Sequence, residues 1–298
     1  MLYRERSHSA IIEISLIAVV IIWATNYPIV KYGLVELNPF VFNSTRFITA
    51  SLVAVLPFLR HYRWERIAKE DIHRIIWAGV VASVAYQVMF IVGISMTTAG
   101  NSAILLSTSP LFTVLLNARL QRERIKPAIW AGMLLSLAGI TMIIIGSGKK
   151  VEFGGKDLLG DFITLGAAAL WALNTNLQKP ILHKYHVAQF AIVQFVIGAI
   201  GLSIIALPSA LQMDWPSIHW TYYGAGIISG VFAIGIANFI WSYGINRIGP
   251  GRTANFGNLV PVLAFIVSYF TLNEILYPIQ VIGAGITILG VWVVRRAN

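Results

Sequence analysis

Two tryptophans and two asparagines recur at one spacing inside otherwise apolar sequence. Trp23 and Asn26 stand three residues apart, and Trp171 and Asn174 repeat them at an offset of 148. On a helix, the spacing i, i+3, i+4 puts Trp23, Asn26 and Tyr27 on one face, and Trp171, Asn174 and Thr175 on another. Indole rings stack, and carboxamides both donate and accept hydrogen bonds, so the chemistry on offer is non-covalent recognition of a small solute. Tyr86-Gln87 aligns with Ala237-Asn238, and Trp241 shares the helical face of Asn238. Asn255 and Asn258 face together, with Ser107 and Thr108 at or next to the position of Asn258 in the earlier half. The candidate substrate-binding set is Trp23, Asn26, Tyr27, Tyr86, Gln87, Asn101, Trp171, Asn174, Asn238, Trp241, Asn255 and Asn258. Each has a plainer reading: the tryptophans as space-filling between helices, the asparagines as interhelical hydrogen-bonding groups worth about 0.6 kcal/mol each. Pro110 and Pro261 are candidate kinks or hinges.

A catalytic constellation is not among these residues. His8, His61, His73, His183, His186 and His219 all fall at the ends of apolar blocks or between them, and His183-x-x-His186 has no acidic or thiolate companion. Cysteine is absent, so there is neither a disulfide framework nor a thiolate metal site. No enzyme activity, metal or cofactor is expected.

The elements that position the candidates follow from composition. Of the 298 residues, 57% are hydrophobic and 11% charged, and mean hydropathy is +0.74. A soluble domain carries about 25% charged residues. Apolar blocks long enough for a span of roughly 20 residues recur along the whole chain. Ten spans are expected at about 11–31, 40–59, 75–95, 101–118, 128–146, 158–179, 189–209, 221–243, 253–272 and 278–294. Short turns at Thr97–Asn101 and Gly249–Arg252 make their flanking helices antiparallel neighbours. The stretch before the first span carries Arg4 and Arg6 but no small-residue cleavage signature, so a retained first helix is expected.

The net charge of +10 reflects topology rather than nucleic-acid binding. With ten spans, 17 of the 22 Lys and Arg residues fall on the side of both termini and four on the other, Arg46 lying within a helix. Both termini are therefore expected in the cytoplasm. Glu13 and Asp161 open the first and sixth spans and, being acidic, are expected near the interface. Trp23 and Asn26 then lie roughly 15–20 Å deeper, near the centre of a ~30 Å core, and Trp171 and Asn174 reach that depth from the opposite side.

The chain repeats itself beyond these residues. Lys31 pairs with Lys179, Glu13 with Asp161 and Phe47 with Phe195 at 148. At 151, Gly79 pairs with Gly230, Gly93 with Gly244, Pro110 with Pro261, Glu123 with Glu274, Gly132 with Gly283 and Gly139 with Gly290. An odd number of spans per copy inverts the second copy, the arrangement that underlies alternating access around a midplane site. The expected fold is an all-α integral membrane protein of ten transmembrane helices, two inverted five-helix repeats covering residues 1–148 and 158–298.

The run Ala99-Gly100-Asn101-Ser102-Ala103 through Ser109-Pro110, with Glu123 and Gly139 after it, resembles the repeat signature of the drug/metabolite transporter superfamily, EamA type. Pro250 to Pro261, with Glu274 and Gly290, resembles it again, as do Asn38-Pro39 and Arg46. The layout and Trp23-Ala24-Thr25-Asn26 are most similar to the YddG-type aromatic amino acid exporters; Gln194 stands where a second Arg46 would be. The resemblance implies a multi-pass transporter of the bacterial inner membrane.

The expected mid-membrane set holds aromatic rings and neutral amides. A polyamine or lipophilic-cation pump would want a central carboxylate, and a nucleotide-sugar or phosphate carrier a central Lys or Arg. Arg46, about two turns inside its helix, either snorkels outwards or meets a substrate carboxylate. The expected cargo is a small neutral or zwitterionic metabolite, an amino acid with an aromatic or large neutral side chain, carried by alternating access as an exporter or facilitator. Because every Asp, Glu and His falls near an expected interface, facilitated diffusion is favoured over proton-coupled exchange. The alternatives are a proton-coupled exporter of drugs or other metabolites and, from other classes, a membrane-embedded enzyme or a non-transporting assembly protein. The expected partners are the small-molecule substrate and the lipid bilayer, without nucleic acid, the chain being a monomer or weak oligomer.

Overall fold

A computed structural model of the chain describes residues 2–61, 64–121, 126–146, 155–248, 253, 256–257, 259–272 and 277–297. Among these, all regular structure is helical. The helices are α1 (Leu2–Gly33), α2 (Pro39–His61), α3 (Lys69–Val80), α4 (Tyr86–Met96), α5 (Ala99–Leu106), α6 (Ser109–Gln121), α7 (Pro127–Ile145), α8 (Lys156–Lys184), α9 (Val187–Gln212), α10 (Trp220–Ile228), α11 (Ala237–Ile248), α12 (Leu259–Leu272) and α13 (Pro278–Ala297). Proline opens α2, α7 and α13, where its missing N–H removes no intrahelical bond.

Five continuous helical stretches are long and apolar enough to cross a membrane: Ile11–Gly33, Lys69–Met96, Lys156–Lys184, Val187–Gln212 and Trp220–Ile248. Pro127–Ile143, Leu259–Leu272 and Pro278–Val294 are shorter apolar helices. The outer surface is apolar, with Ile200, Ile204 and Leu211 on α9 and Leu134 and Leu137 on α7 all exposed. A lipid-facing surface has this character.

Two of the long stretches change their winding in the middle. A π-helical segment, Val81–Ala85, joins α3 to α4, and another, Ser229–Ile236, joins α10 to α11. The first packs against α9 and the second against α2. Gly230 makes the second contact close, since a Cβ there would stand 2.5 Å from the Arg46 carbonyl oxygen.

The expected span 101–118 is interrupted at Ser107 and Thr108, between α5 and α6. Pro110 has no N–H for the Leu106 carbonyl and its ring crowds that carbonyl, so the α5 ladder cannot continue through it. The Ser107 and Thr108 hydroxyls donate to Ile104 O at 2.6 Å and Leu105 O at 2.6 Å, adding to the backbone N–H bonds those carbonyls accept at the end of α5. Asp161 is sheltered by the end of a neighbouring helix. It lies a turn inside α8, only 3% exposed, and accepts a 2.6 Å bond from Thr97 Oγ1. Glu13 is exposed on α1.

The α7–α13 seam is the tightest described. A Cβ on Gly139 would stand 2.5 Å from Gly283 O, and one on Gly283 2.7 Å from Gly139 O; Gly132 and Gly290 face each other the same way. Between the two glycine pairs, Ser136 Oγ donates to Thr287 O at 3.2 Å. Elsewhere α2 packs along α9, α4 along α8 and α1 along α12. At one end of the molecule Lys184 Nζ and Tyr185 OH both donate to Asp71 Oδ2, at 2.5 and 2.6 Å, tying α3 to the α8–α9 junction. Gly139→Ala overfills the seam and is expected to destabilise by about 1–3 kcal/mol. Gly285→Ala, at an exposed position with nothing within 4 Å, is expected to leave the melting temperature in detergent unchanged or slightly higher. Equal tolerance of both substitutions would contradict the seam.

Candidate functional site

Helix α1 brings Trp23 to the middle of the bundle. Its Nε1–H donates to the Ala233 carbonyl, 3.1 Å away in the π segment Ser229–Ile236, which fixes the ring. Around it the rings form a continuous chain. Trp23 lies 4.9 Å from Trp241 of α11 and meets Trp171 of α8 edge-on at 6.0 Å. Trp171 is 5.1 Å from Tyr86, which stacks on Phe90 at 6.0 Å, and Phe90 meets Tyr27 at 6.1 Å. Tilted and edge-to-face pairs at these distances are favourable, about 0.5–1.5 kcal/mol each beyond area burial. Trp23, Tyr86 and Trp171 stay partly accessible although helices from both ends of the sequence surround them.

Arg46 belongs to the same region and does not snorkel. Its side chain is 1% exposed, among the largest fully buried groups in the chain. Nε donates to Ser229 Oγ at 2.8 Å, and Nη1 to Asn43 Oδ1 at 2.9 Å and Gln87 Oε1 at 3.5 Å. Two of the acceptors, Ser229 and Asn43, are oriented by a further bond. Ser229 Oγ–H donates to Asn26 Oδ1 at 2.5 Å, and Asn43 Nδ2 donates to the Gln87 carbonyl at 3.0 Å. The guanidinium carbon sits 5.5 Å from the Phe90 ring, so the polar network and the ring chain touch. The physical reason for the inward path is this set of neutral acceptors. A headgroup interface two turns away offers solvation, but here α1, α2, α4 and the second π segment supply it in place.

Of the expected residues, Trp23, Trp171, Trp241, Tyr86 and Tyr27 come together as rings, and Asn26 and Gln87 as partners of the Arg46 network. Asn238 is half-buried on α11, one turn before Trp241. Asn174 is 5% exposed on α8, and its Oδ1 is buried without a hydrogen-bond partner, as is Nε2 of Gln194. Asn101 is tied elsewhere: its Oδ1 accepts from Gln280 Nε2 of α13 at 3.1 Å. Pro110 is the second residue of α6 and Pro261 the third of α12. Asn255, Asn258, Glu123 and Glu274 lie outside the described residues. Sequence reasoning missed Asn43, Ser229 and Phe90. Asn43 had a signal, a carboxamide one turn before an arginine in an apolar helix; Ser229, a small hydroxyl in an apolar run, had none.

Comparisons with known proteins agree over nearly the whole length. The model of the EamA-like transporter family matches residues 10–145 and 158–296. An uncharacterized transporter of Archaeoglobus fulgidus is 30% identical over 276 residues, 91% of this chain and 93% of its own. A probable amino-acid metabolite efflux pump of Escherichia coli is 26% identical over 92% of this chain and 91% of its own. A probable terminal-alkyne amino-acid exporter of Streptantibioticus cattleyicolor is 24% identical over 95% of this chain and 92% of its own. A protein crystal structure with 17% sequence identity superposes with a TM-score of 0.65, covering 95% of this chain and 96% of that one, so the overall fold is shared. With apolar membrane-length helices and a family match over both halves of its sequence, the chain belongs to the EamA-like transporters of the drug/metabolite transporter superfamily and is a multi-pass membrane transporter.

Proposed function

We propose that this transporter exports or equilibrates small zwitterionic metabolites, amino acids with aromatic or large neutral side chains, between two inverted five-helix halves. The observation that carries the reading is the central ring chain lying against the Arg46 network. Rings offer faces to an apolar or aromatic side chain, and amides, hydroxyls and a guanidinium offer bonds to polar ends. The names of the relatives from Escherichia coli and Streptantibioticus cattleyicolor, a probable amino-acid metabolite efflux pump and a probable terminal-alkyne amino-acid exporter, point the same way. No catalytic role is assigned to any residue. The Lys and Arg distribution supports a plasma-membrane orientation with both termini in the cytoplasm.

Several contacts support halves of 1–148 and 158–298 related by inversion. Phe47 and Phe195, equivalent at the 148 offset, meet each other edge-on at 6.5 Å, as residues on a two-fold axis would. Gly132 faces Gly290 and Gly139 faces Gly283, a reciprocal exchange of equivalent positions at the 151 offset. The two π segments fall at overlapping positions under the same offset. Alternating access then consists of the halves exchanging conformations around the rings.

The correspondence also accounts for two of the four buried side-chain polar atoms that lack a hydrogen-bond partner among the described residues. Asn174 and Gln194 correspond to Asn26 and Arg46, the pair that Ser229 bridges; counting back from Ser229 gives Ala78, which has no hydroxyl. Ala78 is fully buried on α3. One observation favours proton coupling as a second reading: Asp161 is buried and accepts a bond from Thr97 rather than being exposed.

Three outcomes are expected. Purified protein in liposomes should carry radiolabelled Phe, Trp, Met or Thr above empty liposomes, and Trp23→Ala or Trp171→Ala should weaken flux roughly threefold to tenfold, the worth of a lost ring pair; no flux of any of the four removes the amino-acid reading. Ala78→Ser should stabilise by about 1 kcal/mol by supplying the missing hydroxyl, and a lower melting temperature would break the correspondence. Under the facilitated reading an imposed pH gradient drives no accumulation; accumulation abolished by Asp161→Asn would establish the second reading instead.

A further inference from the structure

We propose that Arg46 is the residue that recognises the cargo's carboxylate, and that its Nη2 is the contacting group. The inference rests on the amino-acid reading above and adds to it which atom selects the substrate class. A guanidinium carries five N–H donors. Here Nε–H is taken by Ser229, and Nη1 by Asn43 and, at the long distance of 3.5 Å, by Gln87. Among the described residues none accepts from Nη2, which leaves an edge of the planar fork with two donors unspoken for.

The charge is equally unspoken for. Lys184 pairs with Glu70 and Asp71, whereas every described partner of Arg46 is neutral. A buried cation held only by neutral groups is expensive, and the cost falls sharply when an anion meets it with two parallel bonds. The network holds the fork still for that meeting, because Asn26 Oδ1 accepts from the Ser229 hydroxyl and the Gln87 carbonyl anchors Asn43. Preorganised donors lose little freedom on binding.

Position selects the ligand further. Phe90 lies 5.5 Å from the guanidinium carbon and continues into Tyr86 and Trp171, so a ligand with its carboxylate on Nη2 can lay its side chain along the rings. Gln194 replaces arginine at the corresponding place in the second half, so the centre carries one such charge and suits one carboxylate. Amines and amides that lack the carboxylate leave the fork unmatched.

The test is competition against labelled L-phenylalanine flux in liposomes, using unlabelled L-phenylalanine and L-phenylalaninamide, which differ only in the carboxylate. On the wild-type chain the amide should compete roughly tenfold to a hundredfold more weakly, the usual worth of a hydrogen-bonded charge. Arg46→Lys should keep part of that ratio, and Arg46→Gln should bring it to within about twofold of one. Where a variant loses flux, the ratio is read from the ligand-dependent rise in melting temperature in detergent. Equal competition by acid and amide on the wild type, or an unchanged ratio in Arg46→Gln, overturns the assignment while leaving phenylalanine transport standing. Absence of any phenylalanine flux or binding fails the amino-acid reading itself and this inference with it.

Discussion

Hydrocarbon offers no hydrogen bonds, so every polar group drawn into a membrane protein must be met by the protein itself. Arg46 makes the heaviest demand of this kind here, and the packing around it can be read as the answer. Four segments of distant sequence converge to supply acceptors: Asn26 through Ser229 from α1 and the second π segment, Asn43 from α2 itself, and Gln87 from α4. Gly230 lets the π segment approach the α2 backbone closely enough for the Ser229 bond to form. The same π segment presents the Ala233 carbonyl to Trp23, so the polar network and the ring chain share one support.

Around this centre the fold combines stiff and compliant parts. The α7–α13 seam, glycine against backbone carbonyl at both ends, leaves no room for sliding. The helices that line the rings are different in kind: both long stretches carrying Tyr86 and Trp241 contain π turns, and the segment after Thr98 is broken at Ser107 and Thr108. A π turn costs ladder regularity and is often found where function needs it. Irregular backbone next to the rings and regular packing away from them is the distribution expected if the rings line a path that opens and closes.

Much of the helical framework was legible in the sequence because a membrane span must be a long apolar run, and prolines at positions 39, 127 and 278 mark where helices begin. Trp23 and Trp171 were legible too, since large aromatic residues at repeated positions within apolar spans have few places to go but inwards. The direction of Arg46 was not. A long side chain two turns inside a helix can reach either an interface or a core, and the choice depends on Ser229, a residue 183 positions away whose type says nothing alone. The burial of Asp161 was not legible for a similar reason: its partner Thr97 comes from a segment 64 positions away. The α5–α6 break was half visible: Pro110 announced a disturbance, whereas the bonds from the Ser107 and Thr108 hydroxyls to Ile104 O and Leu105 O required the backbone to be seen.

The account's central claim is that the ring-lined centre meets water from each side of the membrane in turn. Because the chain contains no cysteine, a single Asn238→Cys replacement, half-buried beside Trp241, reports on that directly. The account predicts that membrane-impermeant thiol reagents modify this cysteine from both faces of sealed, uniformly oriented liposomes, and that transported amino acid slows the reaction. A cysteine there that stays unmodified from both faces, while one placed in an exterior loop reacts normally, would contradict it.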